Sequence, residues 1–68
     1  MEVSARNKIK GTIKDIKHGN VMAKISIEIT SGTIISSVIT IDSAEELKLK
    51  VGDEVYALIK STEVMIAK

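Results

Sequence analysis

The chain has 68 residues, with ten basic and nine acidic side chains, one histidine and no cysteine, giving a formal net charge of +1. A domain of this size buries only about 60% of the surface that its unfolded chain exposes, so it needs a further source of stability. Disulfides and a structural metal lack ligands here, which leaves association with other chains.

The composition also narrows the compartment and the partners. No apolar run approaches the length of a membrane-spanning helix, and the N-terminus is polar from the start, unlike a signal peptide. We therefore expect a soluble cytoplasmic protein. The near-neutral charge lacks the basic footprint of a nucleic-acid binder, so neither a membrane nor a nucleic acid is an expected partner.

Twelve isoleucines and six valines favour strands. Alternation of polar and apolar residues predicts a first strand over Asn7 to Lys17, with a change of phase at Asp15 that indicates a bulge. Gly11 within it marks a bend or a close backbone approach. After a hairpin turn at 18–20, a second strand runs from Val21 to Thr30, and its odd-numbered residues form an apolar core face.

The third and fourth predicted strands lack the polar face that the first two have. The third, Thr33 to Ile41, and the fourth, Glu54 to Lys60, are apolar on both faces. A small domain has no second core for such a strand to enter, so these faces predict a subunit interface. A short fifth strand is expected from Val64 to Ala67.

Between the third and fourth strands, residues 42–47 have a helical character, and Ser43 and Glu46 stand in the spacing of a capping box. Three strands, a short helix and two more strands are the element order of an OB-type barrel. We therefore predict one mainly β domain over residues 1–68, a five-stranded OB-like Greek-key barrel with one short helix between strands 3 and 4.

The sequence has few residues that are suited to catalysis or metal binding. The single histidine, His18, lies in a predicted turn without a serine or cysteine motif nearby, and no His, Asp or Glu cluster has metal-ligand spacing. We expect no enzyme and no direct metal ligands. Tyr56 is the only aromatic residue among Phe, Trp and Tyr, which argues against the stacking platform that single-stranded nucleic acid requires.

The sequence does offer donors for a small anion. An arginine fork, a lysine and several hydroxyls occur near the two chain ends and at the predicted helix start, where free N–H groups favour negative charge. A tetrahedral dianion suits such donors. The alternatives are that Arg6 pairs with a glutamate, that Ser43 only caps its helix and that Lys60 is merely solvated, and Asp42 would repel an anion. The candidates are Ser4, Arg6, Thr40, Ser43, Lys60 and Ser61.

These residues occur in segments that together resemble the molbindins, the small Mop- or TOBE-type molybdenum-pterin-binding proteins. The resemblance runs essentially from end to end. It is carried by Ser4-Ala5-Arg6-Asn7, Val38-Ile39-Thr40-Ile41-Asp42-Ser43, Glu46-Leu47, Gly52, Ile59-Lys60-Ser61-Thr62 and Val64-Met65.

The resemblance implies an OB-like domain that assembles into a homohexamer and binds molybdate, or tungstate as a mimic, between subunits. The implied function is cytoplasmic storage or buffering of molybdate without an organic cofactor. Ser4 and Arg6 would come from one subunit and Lys60 from a neighbour. Carried over by position, the oxyanion ligands are Ser4, Ala5, Arg6, Thr40, Ser43, Lys60 and Ser61. The alternative function is an OB-like assembly or regulatory module without functional oxyanion binding.

Overall fold

An antiparallel sheet forms the body of the protein. The computed structural model describes residues 6–68, apart from the side chain of Ser31. Four strands lie in this part of the chain in the spatial order 3-2-1-4, which is Greek-key connectivity. The elements are β1 (Arg6–His18), β2 (Met22–Ile29), β3 (Ile34–Thr40), α1 (Ile41–Glu46) and β4 (Glu54–Lys60), with single 3-10 turns at Thr30–Gly32 and Ser61–Glu63.

The sheet is curled into half of a barrel. Ser37 and Ile39 of β3 line the same cleft, of about 160 Å³, as Val55 and Tyr56 of β4, although β3 and β4 are the two edges of the sheet. The OB-like Greek-key architecture is thus confirmed for the first four strands and the helix, and the barrel stays open between β3 and β4.

β1 is the long strand on which the others are arranged, and two predicted irregularities occur in it. Its register with β2 shifts between Ile13 and Asp15, which is the expected bulge. Gly11 is buried, and a Cβ atom there would lie 2.5 Å from Cγ2 of Ile27 and 2.8 Å from the carbonyl oxygen of Glu28. The predicted close backbone approach at Gly11 is confirmed.

The core is built from aliphatic side chains on the concave side of the sheet, as the alternation predicts. The exception on the second strand is Val21, which lies in the turn before β2 and is 66% exposed. The buried residues are Ile13, Ala23, Ile25, Ile27, Ala44 and Ala57, and eight half-buried aliphatic residues pack around them. No polar side chain is buried among the described residues.

The start of α1 differs from the predicted capping box. Thr40 is the N-cap, and its Oγ1 accepts a hydrogen bond from the Ser43 amide at 3.0 Å. Ser43 is therefore the third residue of the helix and not its cap. The prediction was wrong because the helix already begins at half-buried Ile41, which moves the capping position to the hydroxyl that ends β3.

The predicted fifth strand, Val64 to Ala67, is not formed within the described chain. After the 3-10 turn, Val64 has an extended backbone (φ −91°, ψ 123°), but residues 64–68 pair with no strand of residues 6–68. Met65 and Ile66 are 93% and 95% exposed. The apolar composition of this segment suits a strand, but a strand also needs a neighbouring strand to pair with.

Candidate functional site

The two polar stretches near the chain ends come together in the fold. β1 and β4 pair antiparallel with Arg6 directly opposite Lys60. The Nδ2 group of Asn7 donates to the carbonyl oxygen of Ile59 at 3.4 Å, which further links the start of β1 to the end of β4. Ser61 follows Lys60 as the first residue of the 3-10 turn. The fold thus brings Arg6 opposite Lys60, with Ser61 next to Lys60 in the chain.

Arg6 and Lys60 are two cations at facing positions. Side chains directly opposite each other in an antiparallel pair leave the same face of the sheet about 5 Å apart, and like charges there are destabilising. Within residues 6–68, the ion pairs join other residues, namely Lys10 to Glu54 at 3.5 Å and Lys14 to Glu28 at 3.3 Å. A dianion held between Arg6 and Lys60 would turn this repulsion into two charge-assisted contacts.

A second facing pair of cations provides a comparison within the same sheet. Lys17 of β1 lies opposite Lys24 of β2, near the other end of the strand. The Lys17–Lys24 pair consists of two ammonium point charges. Arg6 instead has a planar guanidinium whose N–H groups can bind an oxyanion in a bidentate manner. The Arg6 pair is also the one next to Ser61, which follows Lys60 in the chain.

Thr40 and Ser43 form a second polar group at the junction of β3 and α1. The Thr40 hydroxyl donates to Oγ of Ser43 at 2.8 Å while it accepts from the Ser43 amide. Thr40 thus uses its one donor hydrogen within the cap, and the Ser43 hydroxyl hydrogen is the donor that remains for a ligand. Asp42, in the first helical turn, is exposed and does not serve as the cap.

The chain does not bring these two groups together. Thr40 pairs with Met22 of β2, one step beyond the level at which Ala23 pairs with His18, the last residue of β1. Arg6 is the first residue of β1. At about 3.3 Å per residue, the two levels are separated by roughly 40 Å of path along β1, so the two groups lie at opposite ends of the sheet.

The structure also places one cation at the site that the sequence reasoning did not select. Lys8 shares the outward face of β1 with Arg6, and its Nζ lies 4.4 Å from the centroid of the Tyr56 ring on β4. The alternation of Arg6, Lys8 and Lys10 along a strand was the signal that would have found it. Lys10 is held by Glu54, so Lys8 is the nearer free charge to Arg6.

Ser4 and Ala5, the other predicted ligands, lie outside the described residues. Within residues 6–68, no three His, Asp or Glu side chains are grouped as a metal centre. No helix in this part of the chain has the length and apolar character that a membrane crossing requires. Arg6, Lys60 and Ser61 offer positive charge and hydrogen-bond donors.

Comparison with known proteins matches nearly the whole chain to one family. Residues 3–66 match the TOBE domain. Over 66 residues the chain is 48% identical to molybdenum-pterin-binding protein 1 of Clostridium pasteurianum, with 97% of each chain covered. The chain belongs to the molybdenum-pterin-binding proteins of the TOBE family. The resemblance to the molbindins is thereby confirmed.

Solved structures of this family share the fold. A molybdate-binding protein from Sporomusa ovata is 47% identical and superposes with a TM-score of 0.90, with all of both chains covered. ModG, described as a cytoplasmic molybdate-binding protein and solved with molybdate bound, is 38% identical with a TM-score of 0.88. The match covers 96% of this chain and 46% of ModG. Both of these proteins are described as binding molybdate.

Proposed function

We propose that this protein binds molybdate reversibly between the subunits of a homo-oligomer, a hexamer in its complete form, and serves to store or buffer the anion in the cytoplasm. Tungstate, a tetrahedral dianion of the same charge, would act as a mimic. The observation that carries the proposal is the placement of Arg6 opposite Lys60, with Ser61 beside them. The molybdate named for the Sporomusa ovata protein and for ModG supports the choice of anion.

The proposed inter-subunit location follows from exposure. Arg6, Lys60 and Ser61 all lie open on the surface of the single chain, where an anion would keep most of its water. Salt also screens exposed charges, so an open pair holds a small ligand weakly. A second surface must cover the pair for strong binding. Thr40 and Ser43 lie at the far end of the sheet, and a neighbouring copy would supply them to this pair.

The facing pair modifies one expectation drawn from the resemblance. A neighbour was expected to supply Lys60 to the Arg6 of another subunit, whereas one chain already holds Arg6 and Lys60 in register. We therefore propose that each subunit contributes its own Arg6, Lys60 and Ser61 as one half of the site. The second half would be Ser43, with the Thr40 cap that positions it, from the adjoining copy.

Calorimetric titration of the purified protein with sodium molybdate, together with native mass, tests the proposal. We expect an oligomer that releases heat on binding and retains molybdenum after desalting. Arg6→Ala should weaken binding roughly ten- to hundredfold, the effect of losing a charge-assisted contact, while the native mass stays unchanged. Lys17→Ala, which removes a cation near the other end of β1, is the matched control and should bind as the original does.

The outcomes separate the two candidate functions. An oligomer that gives no heat and retains no molybdenum would favour the assembly or regulatory module without oxyanion binding, for which the exposed apolar residues of β3 and β4 are the supporting observation. An affinity that Arg6→Ala leaves unchanged would show that the anion binds elsewhere on the molecule.

A further inference from the structure

A cleft of about 360 Å³ lies between the end of β1 and the segment that follows α1. It is at the opposite end of β1 from Arg6, the first residue of that strand. Its volume is within the usual range of small-molecule sites, about 300–1,000 Å³. Here called the helix cleft, it is bounded by residues 16 and 18 of β1 and by residues 44, 45 and 48–50.

The floor of the helix cleft is aliphatic. Ala44 is 7% exposed, and Ile16 and Leu49 are half-buried beside it. Beyond the bulge in β1, His18 pairs with buried Ala23. Because paired residues leave the same face of a sheet, His18 and Ile16, two residues earlier, both face the concave side. A ligand that packs on this floor needs an apolar body.

The backbone around the helix cleft offers no free amide to a bare oxyanion. The three amides of residues 48–50 are all used within the turn. Their acceptors are the carbonyl oxygens of Glu45 at 3.0 Å and Ala44 at 3.1 Å and, for the last amide, Oδ2 of Asp53 at 2.9 Å. An inorganic oxyanion would lose water above an apolar floor without amides to replace that water.

Lys48 has a backbone conformation that suits glycine better than lysine. Its φ of 54° is the only positive φ of a non-glycine residue among residues 6–68. In the Schellman motif that ends α1, this position is usually glycine, which has no Cβ to strain the left-handed turn. A lysine here lowers stability, and such strain is typical of residues that serve a ligand.

The rim of the helix cleft has an excess of positive charge. Lys48 and Lys50 supply two ammonium groups, Glu45 supplies one carboxylate, and His18 adds a ring N–H that can donate. The two ion pairs within residues 6–68 involve none of these four residues. The excess of one positive charge matches a ligand with one negative charge.

We propose that the helix cleft binds a small organic monoanion, namely a carboxylate on an aromatic or branched aliphatic body. The body packs on the aliphatic floor, and the carboxylate contacts Lys48 and Lys50 through charge-assisted hydrogen bonds. This inference does not rest on the proposed molybdate binding, because no residue of the helix cleft belongs to the Arg6–Lys60 site.

Titration of the isotopically labelled full chain with benzoate, followed by NMR of the backbone amides, tests the proposal. We expect saturable shifts that are concentrated at the residues of the helix cleft. Benzamide has the shape of benzoate without the charge, and acetate has the charge without the apolar body. Each should bind at least about fivefold more weakly than benzoate. The absence of saturable shifts would overturn the proposal, and so would equal binding of either comparison ligand.

The variant Lys48→Gly separates binding from folding. Because glycine suits the left-handed turn, we expect a melting temperature equal to that of the original protein or higher. Benzoate binding should weaken at least about fivefold, since the carboxylate loses a charged partner. The matched control is Lys17→Ala, which removes a cation next to His18 on the opposite face of β1. A Lys48→Gly protein that binds benzoate as the control does would overturn the proposal.

Molybdate separates this inference from the proposed function. Saturating molybdate should leave the benzoate titration unchanged, because the two ligands bind at opposite ends of β1. Displacement of benzoate by molybdate would assign the helix cleft to inorganic oxyanions and overturn the inference. A protein that binds benzoate in the cleft and gives no heat with molybdate would support the inference and overturn only the proposed function.

Discussion

At the scale of single residues, Arg6 and Lys60 illustrate a conflict between stability and ligand binding. Two cations directly opposite each other do not stabilise a two-strand ladder. Such an arrangement is typical of functional sites, where local rules are broken in favour of a ligand. The conflict makes a prediction that a purely structural role for these residues does not make.

Replacing Lys60 with alanine should change stability and binding in different directions. Without molybdate, we expect Lys60→Ala to unfold at the same urea concentration as the original or at a higher one, because the facing charge on Arg6 loses its repulsive partner. With molybdate, the stabilisation produced by the ligand should shrink, since the anion loses one contact. Urea titrations with and without molybdate, at one protein concentration, measure both effects.

Lys17→Ala is the control for this prediction, because it relieves the other facing pair, that of Lys17 and Lys24, from β1, which is not an edge strand. It should produce the same small change without the anion and leave the stabilisation by molybdate intact. If the two variants respond alike to molybdate, the anion does not bind between Arg6 and Lys60.

Gly11 is a residue at which the fold leaves no room for a side chain. A Cβ atom at this position would meet both a side chain and the backbone of β2, and the backbone oxygen of Glu28 cannot rotate away. We expect Gly11→Ala to lower the free energy of unfolding by about 1–3 kcal/mol. Gly19→Ala, where the nearest atom is 3.2 Å away, should cost less, and equal losses in urea titrations would contradict the role of close packing.

At the scale of elements, α1 has only six residues and depends on its cap. Thr40→Val keeps the branched side chain but removes the oxygen that accepts from the Ser43 amide. We expect a loss of about 0.5–2 kcal/mol in the free energy of unfolding, the usual cost of an N-cap. Thr33→Val is the control, because Thr33 is also exposed, lies next to β3 and has no side-chain hydrogen bond among the described residues. Equal losses would show that the cap contributes nothing.

The elements also show which features local sequence determines. The alternation from Lys8 to Ile13 predicted β1, its exposed face and its buried face, because the two-residue period of a strand is a local property. The close backbone approach at Gly11 and the bulge near Asp15 were likewise predicted from the sequence. The pairing of Arg6 with Lys60 could not be predicted from the sequence. The register between residues 54 positions apart depends on the whole β1–β4 ladder.

Two predictions, the helix cap and the fifth strand, were not met, because each depends on residues that are close in space but not in sequence. Ser43 fits a capping box by spacing, but the end of β3 places Thr40 at the cap, and this end is set by pairing with β2. The segment Val64 to Ala67 fits a strand by composition, but it pairs with no strand of residues 6–68. Sequence pattern indicates what a segment is suited for, and the fold decides whether a partner is present.

At the scale of the whole molecule, the apolar side chains divide into two sets. The inward set fills the half barrel, and an outward set remains in water on the single chain. The outward set includes Ile34 and Val38 on β3, Tyr56 and Leu58 on β4, and Met65 and Ile66 after the second 3-10 turn. For a chain of 68 residues this is a large fraction of its apolar surface, and burying it between copies would add the stability that one small core lacks.

Val38→Asp should therefore break the assembly without unfolding the chain. Val38 is 61% exposed and lies outside its own core, so the single chain loses little packing. It also pairs with Lys24 of β2, which an aspartate would face with opposite charge. Within an interface, the same carboxylate would be buried at a cost that association cannot offset. We expect a lower native mass, an unchanged far-ultraviolet circular dichroism spectrum and weaker molybdate binding.

Val51→Asp is the matched control, because Val51 is 63% exposed but lies in the turn before β4, away from the open strand edges. It should assemble and bind as the original does. A Val38→Asp protein that is monomeric and still binds molybdate tightly would place the whole site within one chain. One that remains oligomeric would show that the outward face of β3 is not part of the contact, since a buried and unpaired carboxylate there would cost more than the lost valine contributed.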